Sequence, residues 1–482
     1  MSSAAGVAEA GTNVPATSAG VAPPTSGAET VAVTLSASEP AELGGRRGAE
    51  HFIPVTRFAL MDRLTRPQAW PPGVAADVRR FFRYLDYWRH QQHNAALLAL
   101  EQAYEPFSPD SDLFVTRQFS DAERERLGAY VIDGVKRLLK QANYVPVDAR
   151  DVKLILTRES HYGLALHVDL GAFDELLIYY RGASTRKERR RTLRRFLRKQ
   201  EFEVPIYRRL FVLFKLKPLE RRVEEVMRES KLSRSEAEKQ VRKLRSLLPA
   251  EVRDDSIYMK LFKNIPRADL EMVFPNTRVM FRPLDKIKLW VTGGAGLGVG
   301  MFGAAGKLAV ATSNPVAAAG AMAGIGGIVF RQAMNFINQR QRYMVIMAQN
   351  LYFHAMADNR GAMVKLADRA AEEDVKEEML LYSVLAKEKV NRRDLTSVDE
   401  AIERYLANTF GVTVNFDDAD ALSRLMRDGI VTEEADGTLH TMPPREAAQH
   451  IDRKWDEILD SLPDLIESAG VEVEVPGNGA AV

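Results

Sequence analysis

Leu289-Trp290-Val291-Thr292-Gly293-Gly294-Ala295-Gly296-Leu297-Gly298-Val299-Gly300 opens the stretch 289–330, whose reading decides the fold. Of its 42 residues 21 are Gly or Ala, 11 of the chain's 31 glycines lie in it, and its one charge is Lys307. Glycines at this density either cradle a phosphate or let helices pack. Gly298-Val299-Gly300-Met301-Phe302-Gly303 matches G-x-G-x-x-G, but a dinucleotide fold also needs an acid about 20 residues on. No Asp or Glu stands between Asp285 and Asp358. Gly306-Lys307 resembles the end of a P-loop, yet Met301 and Leu308 occupy the positions of its first glycine and its hydroxyl residue. Nucleotide binding is set aside. The favoured reading is a glycine-rich transmembrane helical hairpin, expected over 286–338 with helices at about 289–306 and 315–335, beside the plainer reading of a tightly packed hairpin buried in a soluble protein. Asn314-Pro315 starts the second arm. At about 1.5 Å per residue each arm is roughly 25 Å long, slightly short of a bilayer core. Gly294/Gly298, Gly296/Gly300 and Gly320/Gly324 have the spacing that lets backbones approach, within a membrane or between copies in a homo-oligomer. Arg282, Lys286 and Lys288 precede the hairpin, and Arg331, Arg340 and Arg342 follow it. The expectation is an integral membrane protein with both soluble regions facing the cytoplasm.

On the N-terminal side, 1–46 is rich in Ala, Gly, Ser, Thr and Pro with no basic residue before Arg46, which reads as a disordered tail without a signal peptide. A soluble α+β domain is expected over 47–285. Helical periodicity predicts helices over 75–101 and 121–141. Short β-rich runs at 152–157, 162–168, 175–180 and 207–216 predict a small, mostly antiparallel sheet of about four strands. Two amphipathic helices (219–227 and 235–248) and a connecting segment (257–266) lead to the hairpin. On the other side a helical region is expected over 339–395. A winged-helix-like module follows over 396–470, built from helices at 398–408, 419–428 and 445–462 around a hairpin at Asp436-Gly437, and 471–482 reads as a second tail. The fold class expected is therefore α+β, with N-terminal helices, the sheet, the transmembrane hairpin and the C-terminal module.

A net charge of +2 conceals a strong asymmetry. From 181 to 245 there are 23 Lys/Arg against 9 Asp/Glu, and from 358 to the end 14 against 28. Within the run 181–199, Arg186, Lys187, Arg189, Arg190, Arg191, Arg194 and Arg195 are candidates for contact with anionic lipid or phosphate, beside the plain reading of a solvated charged helix or loop. Nucleic acid is the less favoured partner, because the only aromatic residue interleaved is Phe196. The would-be recognition helix of the C-terminal module is flanked by Asp417, Asp418, Asp420 and Asp428, which would repel phosphate. With no cysteine, thiolate catalysis and Cys-ligated metal are excluded. His90 and His93 are spaced for one metal but have no carboxylate in their turn; His161 and His167 read as sheet residues. Lys263, Asp269 and Glu271 are explained by capping or ion pairing as well as by catalysis. No catalytic residue, metal site or cofactor is assigned.

Five stretches carry a resemblance: Phe52-Ile53-Pro54-Val55-Thr56-Arg57, Tyr104-Glu105-Pro106-Phe107, Ile178-Tyr179-Tyr180-Arg181-Gly182, the run from Lys260-Leu261-Phe262-Lys263-Asn264-Ile265-Pro266 to Glu271, and Leu351-Tyr352-Phe353. They resemble, in order, the uncharacterised group that includes transmembrane protein 143. The resemblance implies a membrane protein with a short paired span and no established chemistry. The expected function is a non-enzymatic, membrane-anchored scaffold or adaptor. The alternatives are an enzyme acting on a lipid or phosphorylated substrate through a basic anion site, and, more weakly, a nucleic-acid-binding module.

Overall fold

In the computed structural model the structure describes residues 50–110, 117–147, 165–191, 199–266 (except 247 and 250), 267, 270, 273–275, 278–280, seven positions between 334 and 349, 351–457 and 470–472. Helices α1 (Arg57–Leu64), α2 (Val74–Tyr104) and α3 (Asp121–Gln141) come first, with the two-residue strand β1 (Arg117–Gln118) before α3. Ser120 and Glu123 close a capping box on α3, which satisfies amides that the first helical turn leaves without intrahelical partners.

The five-stranded antiparallel sheet has the order β2 (Val145–Pro146), β4 (Phe173–Arg191), β5 (Lys199–Leu216), β6 (Ile257–Pro266) and β8 (Ala355–Asp358). Beside it, β3 (Ala165–His167) pairs with β7 (Arg278–Met280). Helices α4 (Leu219–Ser230) and α5 (Arg234–Arg245) bridge β5 and β6 in sequence. After β8 come the long helix α6 (Asn359–Leu385), α7 (Leu395–Phe410) and α8 (Asp418–Arg427), then α9 (Pro444–Glu457). Among these lies a three-stranded sheet in the order β10 (Val431–Glu433), β11 (Thr438–Thr441), β9 (Val390–Asn391). A last short strand, β12 (Val471–Glu472), pairs with β1.

Side-chain alternation sends each strand to two cores. Leu177, Phe211, Leu213, Met259 and Leu261 meet Leu100, Tyr104, Val131 and Val135 of α2 and α3, and Met363 and Leu366 of α6. The opposite face carries Phe173, Leu176, Ile178, Val212, Phe214 and Phe262. A third core joins Phe81, Phe82 and Leu85 of α2 to Met379, Leu381 and Tyr382 of α6 and to Leu406, Leu422, Leu425 and Ile451. Each such side chain contributes roughly 1.5–3 kcal/mol of burial. Both α2 and α6 thus serve two cores, one at each end.

The structure corrects four expectations. The segment 257–266 is not a connector but β6, a central strand paired on both edges. The basic run is not a helix or loop through its described part: β4 continues as strand to Arg191, paired with β5. The transmembrane hairpin is not supported, because among the described residues no helix is long and apolar enough to cross a membrane. Integral membrane location is withdrawn with it. The long helices α2 (31 residues) and α6 (27 residues) carry charge in nearly every turn. The residues 289–330, with Gly294, Gly296, Gly298, Gly300, Gly320 and Gly324, lie outside the described residues. Their lack of charge is what suggests a span.

Candidate functional site

The richest chemistry sits midway along α6. Glu373, Asp374, Lys376, Glu377 and Glu378 are all buried. Neighbouring residues of a helix point about 100° apart, so burial of nearly a whole consecutive run means that the helix is surrounded. The surrounding elements are β4, α2, α8 and the segment before α1.

Two ionic clusters result. In the first, Glu373 accepts from Arg181 Nη2 of β4 at 2.5 Å, from Lys376 Nζ at 2.6 Å and from the Ile53 amide at 3.0 Å. Lys376 also donates to the Ile53 carbonyl at 2.7 Å, and the Arg181 guanidinium lies 4.2 Å from the Phe52 ring centroid. This cluster pins the chain just before α1 to the sheet and to α6. It is structural.

The second cluster ties α6 to α2 and α8. Glu378, with no exposed surface, takes Arg89 Nε at 2.8 Å and Arg424 Nε at 2.7 Å. Arg424 reaches Glu377 at 2.6 Å and Asp374 at 3.2 Å, and His93 Nε2 lies 2.9 Å from Asp374 Oδ2. Asp428 receives Arg89 at 2.5 Å, the Trp88 indole N–H at 3.2 Å and Lys454 of α9 at 3.4 Å. Burial pushes the Glu377 carboxyl up to about 8, against the opposing pull of Arg424. Burial also raises Glu378, despite Arg89 and Arg424 beside it.

This cluster forms the floor of a groove of ≈ 1180 Å³, walled by Ala96 and Ala99 of α2, Tyr130 and Gly134 of α3, and Arg427 of α8. Gly134 permits the close approach of α2 and α3: a Cβ there would stand 2.6 Å from Leu100 Cδ1. The His93–Asp374 pair gives the groove an oriented imidazole. Ser423 lines the same groove, but among the described residues no hydroxyl hydrogen-bonds His93. Arg89 and Arg424 are both engaged by carboxylates, which leaves the floor little positive charge for an anionic substrate.

Of the sequence candidates, Arg186, Lys187, Arg189, Arg190 and Arg191 are placed together along β4, whereas Arg194 and Arg195 lie outside the described residues. His90 and His93 part company: His90 Nδ1 lies 2.8 Å from the Asp86 carbonyl oxygen, and His93 turns to Asp374. Among the described residues no group of three His, Asp or Glu side chains could hold a metal. Lys263 pairs with Arg209 in the sheet register and its carbonyl meets His354 Nδ1 at 2.6 Å. His167 pairs with Arg278 on β3, and His161, Asp269 and Glu271 fall outside the described residues. The α6 clusters are absent from the sequence candidates. The signal that points to them is a charged run set between Ala370-Ala371 and Met379-Leu380-Leu381-Tyr382, with Val375 inside it.

No solved structure matches the chain. Residues 173–361 match the model of a family described as a protein of unknown function (DUF3754). That span runs from the first residue of β4 through β5, β6 and β8 to the start of α6. The chain therefore contains a DUF3754 domain, of an uncharacterised family, comprising most of its central sheet.

Proposed function

We propose that this chain is a non-catalytic scaffold or adaptor, a rigid frame that holds the β4–β5 ribbon and the C-terminal helices in fixed relation. The observation that carries the reading is the way the second ionic cluster crosslinks three helices. Arg89 and Arg424 are each held by more than one carboxylate among Asp374, Glu377, Glu378 and Asp428, which ties α2, α6 and α8 together. An acid–base active site sets a nucleophile within hydrogen-bond reach of its base, and among the described residues no hydroxyl hydrogen-bonds His93. A cross-neutralised cluster instead locks elements together, and removal of one member strands the others.

One observation favours the rival enzyme reading, which is the His93–Asp374 pair on the groove floor. Purified full chain assayed with p-nitrophenyl acetate and p-nitrophenyl phosphate decides between them. The expected result is equal, background hydrolysis by the wild type and by His93→Gln. Hydrolysis above background that falls about 100-fold in a folded His93→Gln, the loss typical of a general base, would overturn the scaffold reading.

We also infer kinship with the group that includes transmembrane protein 143. Three of the five resembling stretches fall inside the matched span 173–361, and the other two lie at the start of α1 and the end of α2. The kinship is drawn from those residues and brings no activity with it.

A further inference from the structure

Three basic residues stand side by side across the middle of the main sheet. The register sets Arg181 of β4 opposite Arg209 of β5, and Arg209 opposite Lys263 of β6. Directly opposed residues share a face, and here it is the face that α6 covers, since Arg181 reaches Glu373 on that helix. Like charges set opposite one another destabilise a sheet unless something offsets them. The next row on the same face, Tyr179, Phe211 and Leu261, has no acid to offer.

The nearby acids are committed elsewhere. Glu373 is held by Arg181 and Lys376, Glu372 by Arg369, and Glu50 by Arg208. Arg209 donates Nη1 to the Arg208 carbonyl at 2.8 Å, and among the described residues no carboxylate reaches its guanidinium. Burial, together with repulsion from Arg369, Arg181 and Arg208, holds it below the usual arginine range, against the pull of Tyr144. Arg181 has a related gap: its Nε–H is buried and meets no hydrogen-bond acceptor among the described residues.

Tyr144, just beyond α3, closes the recess. It is 6% exposed, and Asn143 beside it anchors this turn by donating to Glu377 of α6 at 3.0 Å. Burial raises its phenol, while Arg181, Arg209 and Arg369 all favour the ionised form. The hydroxyl thus lies among three guanidiniums, one each from β4, β5 and α6. Arg369 sits one turn before Glu373, and its side chain is 47% exposed, which gives the recess a side that faces solvent. Five cations (Arg181, Arg208, Arg209, Arg369 and Lys376) therefore meet three carboxylates (Glu50, Glu372 and Glu373).

We propose that Arg209, Arg369 and the Tyr144 hydroxyl bind the dianion of a phosphate monoester, between the sheet and α6. A planar guanidinium grips two phosphate oxygens at once, and a phenol can donate to a third. Two negative charges close the imbalance, where a carboxylate or a phosphodiester would close only half of it. Arg181 is spent on Glu373 and acts through its field. The inference goes beyond the scaffold reading and does not rest on it, since none of these residues lines the groove over the second ionic cluster.

The test is isothermal titration calorimetry of the full chain with inorganic phosphate at low ionic strength, with sodium chloride of matched ionic strength as the blank. Arg209→Gln should weaken binding about tenfold or more, the loss expected for a charge-assisted hydrogen bond, and Tyr144→Phe roughly threefold. Arg209→Lys, which keeps the charge but not the fork, should fall between the wild type and Arg209→Gln. In phosphate-free buffer Arg209→Gln should melt no lower than the wild type, because it removes a repelled charge. Vesicles of phosphatidylcholine with phosphatidic acid, a phosphate monoester, or with phosphatidylserine identify the source of the phosphate. Retention on phosphatidic acid alone, lost in Arg209→Gln, assigns a lipid headgroup; phosphate binding without such retention assigns a soluble ligand. Failure to bind both phosphate and phosphatidic acid overturns the proposal, as does binding that survives Arg209→Gln. So does a melting point several degrees lower in that variant, which would make Arg209 a structural group.

Discussion

Two charge-rich runs, 372–378 on α6 and 186–191 on β4, look alike in the sequence and have opposite fates. The α6 run is drawn into the centre of the molecule, where Arg181, Arg89 and Arg424 from three other elements neutralise it. The β4 run stays in strand, where the register sets Arg190 opposite Gln200 and Arg191 opposite Lys199. Charge density alone does not separate them. The company each run keeps does: the α6 run lies between Ala370-Ala371 and Met379-Leu380-Leu381-Tyr382, while β4 passes from Leu176-Leu177-Ile178 to a segment with no aliphatic residue between Ala183 and Arg191. A charge embedded in apolar sequence is a request for a partner.

The largest effect is expected where a partner is removed from the buried run. Arg424→Ala leaves Asp374, Glu377 and Glu378 facing one another with Arg89 as their nearest guanidinium. Loss of one member of a buried ion cluster costs about 3–5 kcal/mol. Urea unfolding of the full chain should show a midpoint shift of that size. A loss under about 1 kcal/mol would mean that the cluster relaxes or hydrates freely, and that α6 is not the anchor described.

A smaller effect follows from Glu377. Its folded pKa of about 8 lies above the ordinary 4.5, so the native state binds that proton more tightly than the unfolded chain does. Its contribution to stability is therefore complete below about pH 4.5 and is lost as pH rises through 8. Glu377→Gln abolishes this dependence while it keeps a side chain of the same length beside Asn143 and Arg424. Each pH unit between the unfolded and folded titrations is worth about 1.4 kcal/mol, so Gln should gain on Glu by roughly 2–4 kcal/mol between about pH 5 and pH 8.5. Denaturation at the two pH values measures the gain. A difference that does not change with pH would show that Glu377 is ionised throughout.

Local features were legible where local forces decide them. The helix expected over 121–141 matches α3 at both ends, because its apolar stripe and its first-turn acids act within a few residues. The hairpin about Asp436-Gly437 is likewise present between β10 and β11, with Gly437 at φ +85° as such a turn requires. β6 resembles a connector in sequence because Ile257-Tyr258-Met259 and Leu261-Phe262 show no polar–apolar alternation. A strand buried on both faces loses that alternation, and nothing within 257–266 says that β5 and β8 will flank it. The ionic site was illegible for a related reason. Arg89 and Glu378 are 289 positions apart, and Arg181 and Glu373 are 192 apart. Pairs at such separations exist only once the cores have assembled.

The smallest effects are expected on the β4 run. If its charges are uncommitted within the chain, their removal should scarcely touch stability. Arg190 stands opposite Gln200, so Arg190→Gln breaks no cross-strand charge pair, and Gln suits a strand about as well. The expected change in urea unfolding is within about 0.5 kcal/mol, the usual range for surface positions. Arg189→Gln provides the internal contrast, because Arg189 faces Glu201, and an opposed charge pair on a sheet is worth roughly 0.2–1 kcal/mol. The two variants should thus differ by a few tenths of a kcal/mol, with Arg189 the costlier. A loss above about 2 kcal/mol from Arg190→Gln would show that this guanidinium is bound up inside the fold like Arg424, and the contrast between the two charged runs would collapse.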